Sequence, residues 1–344
     1  MVLLSNAVVT SNEPVAANLK WRALPPLPDR EGFAGMLAGV SGQTLLVAGG
    51  ANFPDRRPWD GGAKRWYDVV WMLDNPDGSW RRVGQLPRPT AYGVSYSTPE
   101  GVLCAGGGDA RSHVADVWLM VLREGRLQIE SLPSLPQPCS FASGTKAGNV
   151  LYLSGGIDRP DATTCLRTFW ALDLNRRERT WQKLEPCPGA ERMLAVAGAQ
   201  GDDFYLFSGT RLSAGADGKA VREYLRDAWR YRPGDGWLRL ADLPRAVVAA
   251  PSPALQSSQG TLLVCSGDGG THVDFKPETS HPGFSRDALA YDIRADRWTV
   301  AGPVPFSRAT VPTVAWRDSF VIPSGEERPG YRSPAVWALQ RSDP

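Results

Sequence analysis

The chain is poor in the side chains that most often hold metals or carry protons. Its 344 residues include three histidines and five cysteines. The cysteines (Cys104, Cys139, Cys165, Cys187 and Cys265) are odd in number, and no C-x-x-C spacing for zinc occurs. Cys104 and Cys265 lie inside apolar runs and read as core residues. His113, His272 and His281 are too few for a copper centre of converging imidazoles and phenolates, the last two falling in one loop. No metal and no cofactor is therefore expected. Charge of one sign is also scarce: 38 basic against 36 acidic residues leave a net +2, without blocks of like charge. That balance argues against a nucleic-acid partner. No apolar run approaches the roughly 20 residues needed to span a bilayer, so no membrane association is expected. Residues 1–10 lack a basic segment followed by an apolar stretch of signal-peptide length. The expectation is a soluble protein, cytoplasmic as the sequence begins or periplasmic if a leader was removed. Finally, no stretch keeps a 3.6-residue apolar period over three turns.

What the sequence has instead is a repeat. With 42% hydrophobic residues the chain can bury a substantial core, and short apolar runs recur, each ending on a pair of small residues. The pairs are Gly49-Gly50, Gly106-Gly107, Gly155-Gly156, Ser208-Gly209, Ser266-Gly267 and Ser324-Gly325, about 49 to 58 residues apart. After each pair comes a polar loop of variable length, then a strand such as Asp68–Leu73 or Asp287–Tyr291. A last strand opens on Trp80, Leu127, Trp181, Trp237 or Trp298 and closes near a Leu-Pro. Four short strands per unit, rich in β-branched and aromatic residues and bounded by Gly and Pro, predict antiparallel sheets. The tryptophans read as packing between units. The small pairs read as relief of crowding where inner strands converge on an axis.

The sixth unit stops after Trp337-Ala338-Leu339 without a fourth strand, whereas Leu19–Pro28 carries the Trp-to-Leu-Pro signature with nothing before it. An N-terminal strand completing the last unit would close the ring and leave no open edge. The expected fold is an all-β, six-bladed propeller. Residues 1–18 form an extension and residues 19–344 a single domain. Its blades cover residues 31–87, 88–136, 137–188, 189–244, 245–305, and 306–341 with 19–28.

One loop differs from its repeats. In residues 324–332 the small pair runs directly into Glu326, a Pro329-Gly330 turn follows, and Arg332 stands six residues after Glu326. Taken alone, these two charges are either a reacting pair or an ion pair that fastens a surface loop.

The small-pair, Trp and Leu-Pro pattern resembles kelch-repeat propellers over nearly the whole chain. A narrower set of residues resembles the bacterial N-acetylneuraminate epimerases, the sialic acid mutarotases: Gly325-Glu326, Pro329-Gly330 and Arg332, with Gly32–Gly35, Ala48–Phe53 and Ala91–Ser95. The first two blades stand at the opposite end of the chain from their place in better-known members, so the chain resembles a cyclically permuted branch, which a ring tolerates.

That resemblance implies a mutarotase acting on N-acetylneuraminate or a related acidic sugar, its partner being a small-molecule sugar acid. Glu326 would be the general base and Arg332 the anchor for the sugar carboxylate. Substrate-binding candidates on neighbouring loops are Asn52, Tyr92, Arg192 and Asp268. For Arg192 a salt bridge with Glu191 or a neighbouring blade is the competing reading, and His272 reads as a solvent or hydrogen-bonding residue. The Trp- and Arg-rich loop of residues 53–67 is expected to fold over one face and shape the pocket rim. Two other classes compete: a copper oxidase resembling galactose oxidase, which the scarce histidines disfavour, and a non-catalytic kelch interaction or carbohydrate-binding scaffold. Oligomeric state is not legible.

Overall fold

The structure, a computed structural model, describes residues 19–257 and 260–341. The extension expected at residues 1–18, with the leader question attached to it, lies outside them. Among the described residues the architecture is six four-stranded antiparallel sheets, with 3₁₀ turns as its sole helical elements. The first blade runs Leu37–Ser41, Thr44–Ala48, Val69–Leu73 and Arg81–Gln85, each strand pairing with the next in sequence. Blades two to five repeat that meander. In the sixth, Val314–Trp316, Ser319–Pro323 and Val336–Gln340 are joined on their outer side by Trp21–Leu24. Trp21 pairs with Leu339 and Leu24 with Val336. The N-terminal strand therefore closes the propeller, as the repeat accounting predicted.

Six apolar clusters, one per junction, hold adjacent blades together. Leu103 and Leu119 meet Leu151 and Leu172 between the second and third blades. Leu24 and Leu27 meet Leu45 and Val47 where the sixth blade meets the first. A fully buried side chain of this kind contributes about 1.5–3 kcal/mol, so the junctions carry most of the stability. The fourth-strand tryptophans Trp80, Trp181, Trp237 and Trp298 pack between blades as expected, and three of them also donate the indole N–H to the preceding blade. Trp80 reaches Pro25 O at 2.8 Å, Trp237 Glu185 O at 2.9 Å and Trp298 Ala241 O at 3.0 Å.

The small pairs have a different cause from the crowding expected at the axis. They sit at the end of each blade's second strand, where both residues take positive φ: 65° and 92° at Gly49-Gly50, 71° and 109° at Ser324-Gly325. A Cβ at Gly49, Gly106 or Gly155 would also overlap a carbonyl of the following blade, at Thr90, Cys139 or Arg192. Where serine replaces the first glycine, its hydroxyl bonds to the next blade. Ser324 Oγ accepts Phe33 N–H at 2.8 Å and reaches Ser333 O at 2.7 Å. Ser324→Ala should cost about 1–3 kcal/mol in urea unfolding, because it strands the buried Phe33 N–H. An unchanged midpoint would refute this role.

At the axis the blades are joined by a closed circuit of backbone hydrogen bonds. Gly35 N–H donates to Thr310 O, Tyr92 to Gly35, Phe141 to Tyr92, Leu194 to Phe141, Ala249 to Leu194 and Thr310 to Ala249, at 2.6–2.9 Å. All six residues have φ between 52° and 66°. The left-handed conformation is costly for five of them, and the circuit holds it in place. The six residues line a central cavity of about 90 Å³.

Candidate functional site

In every blade the residue after the small pair forms a bridge with the residue just before the circuit position: Ala51 with Ala34, Gly108 with Ala91, Ile157 with Ser140, Thr210 with Met193, Asp268 with Val248 and Glu326 with Ala309. Six residues, Gly108 without a side chain among them, thus occupy equivalent places beside the circuit. Two of them, in adjacent blades, are acids.

Glu326 begins a short hairpin in which Glu326–Arg328 pairs with Tyr331–Arg332, with Glu326 directly opposite Arg332. Gly330, at φ 78°, makes the turn. One carboxylate oxygen, Oε1, accepts Arg332 Nη1 at 2.8 Å and the Gly330 N–H at 3.1 Å. The other, Oε2, has a single long contact, 3.4 Å from the Thr310 hydroxyl. Thr310 belongs to the circuit and lines the cavity, so Oε2 lies next to a cavity-lining residue. The Glu326 side chain is 18% exposed and that of Arg332 only 3%. Arg332 stacks on Phe53, 4.9 Å from the ring centre, and its Nε is buried without a hydrogen-bond partner. The fold thus yields a carboxylate with one oxygen fixed by two donors and the other held only by a long contact to Thr310.

The loop of residues 53–67 folds over this hairpin. Trp59 packs against Tyr331, and the ring of Tyr331 lies between the guanidinium groups of Arg57 (4.3 Å) and Arg328 (4.0 Å). Arg57 is itself paired with Glu31 at 2.7 Å. A Cβ at Gly330 would sit 2.6 Å from Trp59. The loop therefore packs on the Glu326 hairpin, not merely on its own tryptophans.

Tyr92 occupies a circuit position, stacks on Phe141 at 4.4 Å and lines the cavity. Asp268 lies one blade before Glu326 at the equivalent place. It is partly covered by the Tyr224 hydroxyl, which donates to it at 2.8 Å. Burial, then the Asp268 charge, pushes that phenol up to about 12.

Two expected ligands have their polar groups spent elsewhere. Asn52 is 1% exposed; its amide donates to Gly32 O and Asp29, and its oxygen accepts the Tyr67 hydroxyl. Arg192 is 2% exposed and grips Asp227 with two bonds, at 2.7 and 2.6 Å. Its blade's circuit position is Leu194, two residues on, so Arg192 points into the sheet's end and away from the axis. Its partner is neither Glu191, which pairs with Arg211, nor another blade. Burial alone would raise the Asp227 carboxyl, but Arg192 and the Trp229 indole hold it below the usual range.

His281 is buried, its Nδ1 accepting Gly283 N–H at 3.0 Å, and His272 is exposed. All five cysteines are buried and unpaired, and burial raises the thiols of Cys104 and Cys265. Among the described residues no three His, Cys, Asp or Glu side chains gather as metal ligands would, and no helix is long and apolar enough to cross a membrane.

The site also contains three residues that reading the sequence did not single out: Thr310, Phe53 and Lys64. Lys64 Nζ lies 5.4 Å from the ring centre of Tyr92 and 5.6 Å from those of Phe53 and Trp66. Aligning the repeats would have found Thr310, since Gly35, Tyr92, Phe141, Leu194 and Thr310 each stand 14 residues before their small pair.

Residues 4–129 match the family model described as N-acetylneuraminate epimerase. That match takes in Phe53, Lys64 and Tyr92 and stops well before the Glu326 hairpin. The chain is 27% identical over 232 residues to the N-acetylneuraminate epimerase of Yersinia enterocolitica, covering 60% of this chain and 57% of that protein. It is 44% identical over 98 residues to the N-acetylneuraminate epimerase of Brucella suis, a quarter of each chain. The alignments thus span little more than half of these relatives at most. The solved structure of YjhT superposes with a TM-score of 0.67 over 90% of this chain and 95% of that one, at 16% identity, a likeness of fold.

Proposed function

We propose that this protein is a mutarotase that interconverts the anomers of N-acetylneuraminate or a related acidic sugar, with Glu326 as general acid and base. The observation that carries this reading is the unequal treatment of the two Glu326 oxygens next to a residue that lines the central cavity. Arg332 and the Gly330 N–H orient the carboxylate through Oε1, and Oε2 is left beside Thr310.

The chemistry needed is modest. Glu326 removes the proton of the anomeric hydroxyl, the bond from the anomeric carbon to the ring oxygen breaks, and Glu326 hands that proton to the ring oxygen. The product is an open-chain ketone and the carboxylate is unchanged in net protonation. Rotation of the carbonyl carbon presents its other face, and the reverse proton transfers close the ring as the other anomer. Such a positioned acid–base typically contributes about 100- to 10,000-fold. Asp268 and Tyr92, at the same circuit of residues, would contact the sugar's hydroxyls and ring face.

The kelch-type ring serves here as a rigid mount for one hairpin. The direct test is NMR of sialic acid freshly released as a single anomer, with catalytic amounts of protein. Equilibration faster than in buffer supports the proposal. An unchanged rate, with no thermal stabilisation by any acidic sugar, favours a binding or interaction scaffold in which Glu326 and Arg332 only fasten the hairpin.

A further inference from the structure

Lys64 lies beside Tyr92, which lines the cavity, and its ammonium is left without a counter-charge among the described residues. Among the described residues no carboxylate lies within ion-pair distance of it, and it makes no hydrogen bond there. The neighbouring arginines are engaged: Arg57 with Glu31, Arg328 with the Thr279 carbonyl, Arg332 through Nη1 with Glu326. Lys64 is half-buried, with Nζ between the rings of Phe53, Trp66 and Tyr92. Two further donors near it are buried without acceptors, the Trp66 indole N–H and Arg332 Nε. Arg332 lies over the same Phe53 ring that Lys64 approaches.

A half-buried ammonium beside Phe53 and Trp66, with the buried Trp66 indole N–H and an Arg332 Nε over the same Phe53 ring both lacking acceptors, points to a missing acceptor. Buried donors without acceptors are uncommon and costly. Arg332 cannot readily supply the whole anchor for a substrate carboxylate, since its side chain is 97% covered and one of its nitrogens already holds Glu326. We infer that Lys64 is the anchor for the ligand's carboxylate, with Arg332 supporting it from beneath Phe53. Arg332 then orients the base and Lys64 orients the sugar. The pocket is thereby specific for a sugar bearing a carboxylate over its neutral counterpart. This inference rests on the mutarotase reading for the kind of ligand, but not for the charge it requires.

The test is calorimetric titration of N-acetylneuraminate and its methyl ester into the wild-type protein, Lys64→Gln and Lys64→Arg. A charge-assisted contact is worth enough for about a 10- to 100-fold loss. Lys64→Gln should weaken binding of the acid by that factor and leave the ester unchanged, and Lys64→Arg should recover part of the loss. Equal affinity of wild type and Lys64→Gln for the acid would overturn the inference even if Glu326 proves catalytic. So would acceleration of a neutral sugar's anomer exchange that is indifferent to Lys64. Loss of the ester along with the acid would show a merely structural lysine and overturn it as well.

Discussion

Glu326→Gln should slow the enzyme-dependent interconversion of N-acetylneuraminate anomers by about 100- to 10,000-fold with no loss of fold. The amide is nearly the same size, and its oxygen can keep both the Arg332 and Gly330 donors that now converge on Oε1. The hairpin therefore stays closed. What disappears is the ability of the second oxygen, beside Thr310, to take and return a proton. Exchange NMR measures the rate, and the melting curve controls for structure. Arg332→Met is a useful companion, because it leaves Glu326 part-buried without its cation and should lower the rate together with stability. If Glu326→Gln equilibrates the anomers as fast as the wild type, the acid–base assignment fails and the pair reverts to a fastening for the hairpin.

The second large effect concerns closure of the ring. A chain beginning at residue 29 should not melt cooperatively. It loses the four residue pairs between Trp21–Leu24 and Leu339–Val336, the edge-to-face contact of Trp21 on Phe306, and Leu24 and Leu27, 5% and 2% exposed at the junction of the sixth and first blades. Removing a buried leucine side chain costs about 2–5 kcal/mol and a large aromatic about 3–5. The sum is comparable to the whole stability of an ordinary domain, about 5–15 kcal/mol. The exposed edge of Val336–Gln340 would then be open to pairing with other chains. Leu27→Ala alone should give an intermediate loss of about 2–5 kcal/mol. Calorimetry decides: a sharp transition for the truncated chain near that of the full one would mean the ring does not depend on its N-terminal strand.

The closing strand was legible because a missing piece at one end matched a surplus piece at the other, an accounting that needs no coordinates. The small pairs were legible too, but their cause was not. Whether a glycine answers to a positive φ, to a neighbouring carbonyl or to crowding at an axis depends on what the next blade places beside it. Asn52 and Arg192 show the same limit at the site. A polar residue in the right loop looks available until its partners are known, and Asp29, Tyr67 and Asp227 are distant in sequence yet adjacent in space. Lys64 shows the converse. It lay in a loop expected to shape the rim, and nothing in its sequence neighbourhood said that the charges around it would pair with one another and leave it unpaired.

By itself, then, the sequence determined the number of blades, the antiparallel meander of each and the way the ring is closed. Those follow from the small pair closing each apolar run, the Trp and Leu-Pro signature and the turn residues, which act over a few positions and recur around the ring. It also placed Glu326 and Arg332 six residues apart across a Pro-Gly turn, but a regular hairpin would set Glu327 opposite Arg332; a one-residue bulge at Glu327 brings Glu326 there instead. The tertiary structure alone decided which side chains remain free once the blades are packed: Oε2 beside Thr310, Lys64 among three rings, the Trp66 and Arg332 donors without acceptors. A site is the remainder after every internal hydrogen bond and ion pair has been formed, and most of those pairings join residues whose sequence separation carries no local signal.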